Sequence, residues 1–134
     1  MSVVFIRVYL TPLARTDITS IKDVDVRAAA VAAMVEIERD LEFGRLLEVK
    51  DYTGDLRGCR KVYVDRNDWE DTPRYRLVYW CSPDERMPRK ARILAFGPRA
   101  SSAVYKTAVE RYNRDRGTAG QSPVEALSDE ELGL

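Results

Sequence analysis

Tyr75-Arg76-Leu77-Val78-Tyr79-Trp80 is the stretch that decides the fold. Every second residue shares a face in a strand, so Tyr75, Leu77 and Tyr79 fall on one side and Arg76, Val78 and Trp80 on the other. Upstream, Cys59-Arg60-Lys61-Val62-Tyr63-Val64-Asp65 alternates likewise, with Lys61 and Tyr63 on one face and Val62 and Val64 on the other. Residues 66–74 join the two runs as a long hairpin loop carrying Trp69, which is either a binding side chain or folded back onto the domain. Downstream, a polar turn over 82–90 leads to a final strand over Ala91–Phe96. Three runs in this order predict antiparallel strands.

Working outward, residues 3–10 read as a first strand ended by Pro12, and residues 11–22 as turn-like with one short helical turn at 16–21. From Val24 to Phe43 the spacing predicts one long helix. Its stripe is Val24, Ala28, Val31, Met34 or Val35, Ile37 and Leu41, with Asp23 as N-cap and Gly44 as C-terminal stop. Residues 45–58 read as an irregular connection. On the other side, Ser101 or Ser102 caps a short helix through Val104, Tyr105, Ala108, Val109 and Tyr112, and Gly117 closes it. The expected class is α+β: a small antiparallel-dominated sheet of about four strands against one long N-terminal helix, with a short C-terminal helix. Residues 1–116 form one globular domain and 117–134 an acidic tail, which is either flexible or docked on the basic face.

At 134 residues and 45% hydrophobic, the chain is long enough for one modest core. It has no stretch of 18 apolar residues and no signal-peptide block, so a cytoplasmic location off the membrane is expected. There are two cysteines, Cys59 and Cys81, and no histidine. That excludes a disulfide framework, the common zinc sites, and Ser-His-Asp or Cys-His nucleophiles; both thiols are expected to be reduced, and no metal or other cofactor is implied.

The formal charge is zero, with 22 basic and 22 acidic residues. Their distribution is uneven: residues 1–56 carry −3, residues 57–116 carry +7 and residues 117–134 carry −4. A basic middle between acidic ends suits a polyanion or an acidic partner. Within it, Arg76 shares a strand face with valine and tryptophan, so it either pairs with a carboxylate or opens into a functional cleft. Arg99 stands just ahead of a helix N-terminus, a place that favours anions.

Leu56-Arg57-Gly58, then Tyr75-Arg76-Leu77-Val78-Tyr79, then the run Gly97-Pro98-Arg99-Ala100-Ser101-Ser102-Ala103-Val104-Tyr105-Lys106-Thr107-Ala108-Val109-Glu110-Arg111, resemble in order and approximate spacing the C-terminal half of RelE-type toxins, in the RelE/ParE superfamily of toxin–antitoxin modules. The resemblance implies a small endoribonuclease that cleaves messenger RNA in the ribosomal A site and is neutralised by a cognate antitoxin. The ribose 2′-hydroxyl attacks the adjacent phosphate and leaves a 2′,3′-cyclic phosphate, without a metal. Arg76 and Arg99 match the family's catalytic arginines, and Tyr105 its C-terminal tyrosine. A planar guanidinium suits charge building on phosphoryl oxygens. A basic residue on the preceding strand is either Lys61, as base or phosphate ligand, or Arg66, depending on register. Arg60, Arg66 and Lys106 are the implied RNA contacts. Here the sequence departs from the family in showing one long helix where the family opens on a helical hairpin. The alternatives are a ParE-like gyrase inhibitor of the same fold and a non-catalytic module binding RNA or an acidic partner.

Overall fold

A computed structural model describes residues 6–39, 44–47, 49–50, 54–83 and 89–116. The chain runs β1 (Arg7–Leu10), α1 (Pro12–Thr19), α2 (Val24–Glu38), β2 (Arg45–Leu46), β3 (Val49–Lys50), β4 (Gly54–Asp55), β5 (Cys59–Val64), β6 (Tyr75–Ser82), β7 (Lys90–Pro98), a 3₁₀ turn over Ala100–Ser102 and α3 (Ala103–Asp115). Five strands form one sheet in the order β1-β7-β6-β5-β2, and β3 and β4 pair separately. β1 runs parallel to β7; the other neighbours in the large sheet are antiparallel. The class is α+β as expected and the sheet is antiparallel-dominated as expected, but it has five strands in place of about four and is mixed through the parallel β1–β7 pair.

The expected single N-terminal helix is corrected to two helices, α1 and α2. Pro12 does not merely stop the strand. Proline at the first helical position loses no hydrogen bond and already has helical φ, while Thr11 caps α1 by accepting from the Ala14 N–H (3.4 Å) and donates its own hydroxyl to the Ile93 carbonyl (2.7 Å). The expected cap of α2 holds, with the Asp23 carboxylate accepting from the Asp25 and Val26 N–H groups. Its stripe holds only in part: Met34 and Ile37 are buried, while Val24, Ala28 and Val31 are only partly so. The buried residues are Val26, Ala30, Ala33, Met34 and Ile37, while Val35 is exposed. Apolar residues occupy nearly every side of this alanine-rich helix, so spacing alone could not select the face.

α2 ends at Glu38 with Arg39 as cap, so Gly44 is not its stop. Gly44 instead abuts β5: a Cβ there would lie 2.5 Å from the Lys61 carbonyl oxygen. Its N–H donates to the Tyr79 hydroxyl (2.9 Å). Residues 45–58, expected to be irregular, supply three short strands. The outer residues expected for the first strand (3–5) and for α2 (40–43), together with Gly117 and the tail, lie outside the described residues.

The sheet separates two cores. On one face α1 and α2 cover Val8, Val62, Val64, Leu77, Tyr79, Ile93 and Phe96; on the other α3 covers Leu56, Cys59, Val78, Leu94 and Ala95 through Val104, Ala108 and Tyr112. Leu94 and Ala95 face the same side because a bulge breaks the β6–β7 register between Val78 and Tyr79. Cys59 and Cys81 are buried thiols in opposite cores.

A candidate phosphate-handling site

The site grows from one register pair. β5 and β6 place Tyr63 opposite Arg76, and Lys61 opposite Val78, on the face that α3 partly covers. Arg76 is 4% exposed. Its guanidinium carbon lies 3.8 Å from the centre of the Tyr63 ring, and its Nη1 donates to the carbonyls of Pro73 (2.7 Å) and Tyr75 (2.8 Å). Among the described residues no carboxylate pairs with it. Of the two sequence alternatives for Arg76, the structure therefore disfavours the ion pair.

Two more cations gather on the same ring. Arg45, opposite Lys61 across the β2–β5 pairing, sits 5.1 Å from the Tyr63 centroid, and the Lys61 ammonium 5.6 Å from it. The Lys61 ammonium is also 5.4 Å from the ring of Tyr105 on α3. Aromatic faces hold cations without neutralising them, so the patch keeps its positive charge for an anion. Lys61 thus links the group: it shares the Tyr63 ring with Arg76 and lies beside the ring of Tyr105.

Arg99 joins through backbone. Its N–H donates to the Arg74 carbonyl (2.9 Å), and its exposed guanidinium has no partner among the described residues. Of the two serines after it, Ser102 takes the expected N-cap position of α3 but makes no side-chain cap bond, and both Ser101 (φ 58) and Ser102 (φ 59) adopt left-handed backbone. Two consecutive non-glycine residues in that region are strained by roughly 1–2 kcal/mol each.

The remaining expected RNA contacts divide. Lys106 is exposed beside Tyr105 on α3. Arg60 points from the opposite face of β5 and donates to the Gly44 carbonyl (2.5 Å). Arg66 is held away from the patch by Asp68, Asp23 and Asp25, and the Asp68 hydrogen bond raises its pKa further while lowering that of Asp68. Among the described residues no group of acidic and thiol side chains converges as a metal site, and no helix is long and apolar enough to cross a membrane.

Two features escaped the sequence reading. Arg45 lies on a two-residue strand too short to show alternation. Asp65, which ended the strand run as a mere polar residue, is an anchor: it accepts from the Arg74 side chain at 2.9 Å twice and from its backbone N–H at 2.8 Å. Those bonds hold its carboxyl well down, at about 2. Arg74 in turn covers the Trp69 ring, 3.6 Å from its centre.

No family model and no curated protein matches the sequence. Among solved structures, the chain is similar to an arginine double mutant of the E. coli toxin RelE in the free state: 21% identity, TM-score 0.55, 80% of this chain and 97% of that one covered. It is also similar to the toxin–antitoxin complex RelBE2 from Mycobacterium tuberculosis, with 24% identity, TM-score 0.49, and 75% and 98% covered. The RelE match spans nearly the whole of the solved chain. This chain has the RelE-like toxin fold.

Proposed function

We propose that the chain is an endoribonuclease toxin of the RelE type, cleaving messenger RNA at the ribosomal A site without a metal. The observation that carries this is Arg76, a nearly buried guanidinium held by an aromatic ring and two carbonyls, with no carboxylate partner among the described residues. A buried charge costs stability unless it is compensated; one left without a counter-ion suits an anion that arrives with the substrate. Arg76 and Arg99 stabilise the phosphoryl oxygens as the 2′-oxygen bonds to phosphorus and the bond to the 5′-oxygen breaks, leaving a 2′,3′-cyclic phosphate on one fragment and, with a proton taken up from water, a 5′-hydroxyl on the other. Lys61 either accepts the proton of the attacking 2′-hydroxyl as a neutral amine or, as its ammonium, holds the phosphate, and Tyr105 borders the same patch of charge. Arg66, tied to three aspartates, is the weaker candidate for the strand position.

A cognate antitoxin covering the basic patch is the proposed protein partner. Expression of the chain alone is expected to arrest growth and translation, with relief by Arg76→Ala or Arg99→Ala. Wild-type messenger cleavage in both variants would sink the reading. Intact messenger with accumulated gyrase-cleaved DNA would select the ParE-like alternative, and binding that weakens steeply with salt but yields no cyclic phosphate would select a non-catalytic module.

A further inference from the structure

The loop between β5 and β6 presents its tryptophan on a built support. The Trp69 N–H donates to the Arg66 carbonyl (3.1 Å) and its indole Nε1 to the Thr72 carbonyl (3.2 Å). Arg74 covers the ring, and Asp65, whose side chain is only 3% exposed, fixes Arg74 through both carboxylate oxygens. Trp69 is nevertheless 37% exposed. A large aromatic side chain whose freedom is already restrained, and whose surface the core leaves partly uncovered, loses little entropy on binding a flat partner.

The support is continuous with the candidate site. The tripeptide Pro73-Arg74-Tyr75 holds Arg76 through its first and third carbonyls and the Arg99 backbone through its second. We propose that Trp69 is a stacking platform for one base of single-stranded RNA, a nucleotide flanking the phosphate held by Arg76 and Arg99. This rests on the reading of that site as RNA-binding and adds a subsite to it. The occupant follows from charge and shape: the surrounding block carries +7, and a planar base on a backbone of phosphates satisfies the indole and the arginines together.

The test uses the free protein and a single-stranded 2′-O-methyl oligonucleotide, which lacks the attacking hydroxyl. Tryptophan emission is expected to quench on binding, and the quenching to vanish in Trp69→Phe, where affinity stays near that of wild type because a ring remains. Trp69→Ala should bind roughly 5- to 150-fold more weakly. An oligonucleotide abasic at each position in turn needs no variant: at one position it should weaken wild type by a similar factor and leave Trp69→Ala unaffected. The proposal is overturned if quenching is absent up to millimolar oligonucleotide, if Trp69→Ala binds like wild type, if no abasic position matters, or if polyglutamate quenches equally, which would make the platform a site for an acidic protein. Messenger cleavage assayed on the same proteins separates the two readings: quenching without cleavage overturns only the nuclease, and cleavage without quenching only the platform.

Discussion

The Arg76 guanidinium lies over the Tyr63 ring, 3.8 Å from its centre, across a directly opposed pair of β5 and β6. The ring orients the arginine and leaves its charge available. Tyr63→Phe is therefore expected to keep messenger cleavage near wild type. Tyr63→Ala removes a contact worth about 0.5–2 kcal/mol and should slow cleavage by roughly 2- to 30-fold, with circular dichroism unchanged. Equal rates in Tyr63→Ala and wild type would show that Arg76 is positioned by its two carbonyl bonds alone.

A second arginine does structural duty across the molecule. Arg111 on α3 grips Asp17 on α1 with both terminal nitrogens, at 2.5 and 3.1 Å, and also donates to the Leu94 carbonyl (2.9 Å). Asp17 in turn accepts from the Phe96 N–H (3.1 Å), serving β7 where β1 no longer pairs with it. Removing one partner strands the other, so Arg111→Ala or Asp17→Asn should each cost roughly 2–4 kcal/mol in urea unfolding. The double variant should lose less than the sum of the two, and full additivity would mean that the pair is not coupled.

The Asp65–Arg74 bond sets an acid limit. Hydrogen bonds from Arg74 bring the Asp65 carboxyl to about 2 in the fold, below its ordinary 3.8. The folded state thus holds the ionised form more strongly than the unfolded chain does. The stabilisation is complete above pH 4 and disappears as pH falls toward 2. In Asp65→Asn the melting temperature should be lower at pH 7 and its loss between pH 4 and 2 shallower than in wild type.

Ser101 and Ser102 hold left-handed backbone between Arg99 and α3. Glycine relieves roughly 1–2 kcal/mol of strain against an entropic cost of about 0.5–1 kcal/mol, so Ser102→Gly should stabilise slightly. If the strain aims Arg99, the same variant should cleave more slowly despite a higher melting temperature. A variant that is stabler and fully active would show the strain to be incidental.

The alternation of residues 59–65 and 75–80 carried the strand faces correctly, down to Arg76 sharing the side of Val78 and Trp80, because one buried core lies against each face. It also set Tyr63 beside Lys61, though nothing in the spacing marked Tyr63 as the ring that gathers Arg45, Lys61 and Arg76. That depends on the strand pairing, which brings Arg45 and Arg76 from distant positions. The helix between Pro12 and Thr19 was hidden because proline reads equally as a strand stop and as a first helical residue. Gly44 looked like a helix stop for its type alone. Its actual constraint, the Lys61 carbonyl against its Cα, exists only once β2 and β5 pair. The serines after Arg99 read as caps because serine usually caps through its side chain; Ser102 takes that position, but in left-handed backbone and with no side-chain cap bond.

The most direct test of the account is the rate at which translating ribosomes lose messenger to the purified protein, with product ends identified, for wild type, Arg76→Ala and Arg99→Ala. Wild type should leave 2′,3′-cyclic phosphate ends, and each alanine variant should be slower by roughly 100-fold or more while remaining folded. Cleavage by either variant at the wild-type rate, or wild-type protein that binds messenger and never cuts it, would contradict the account.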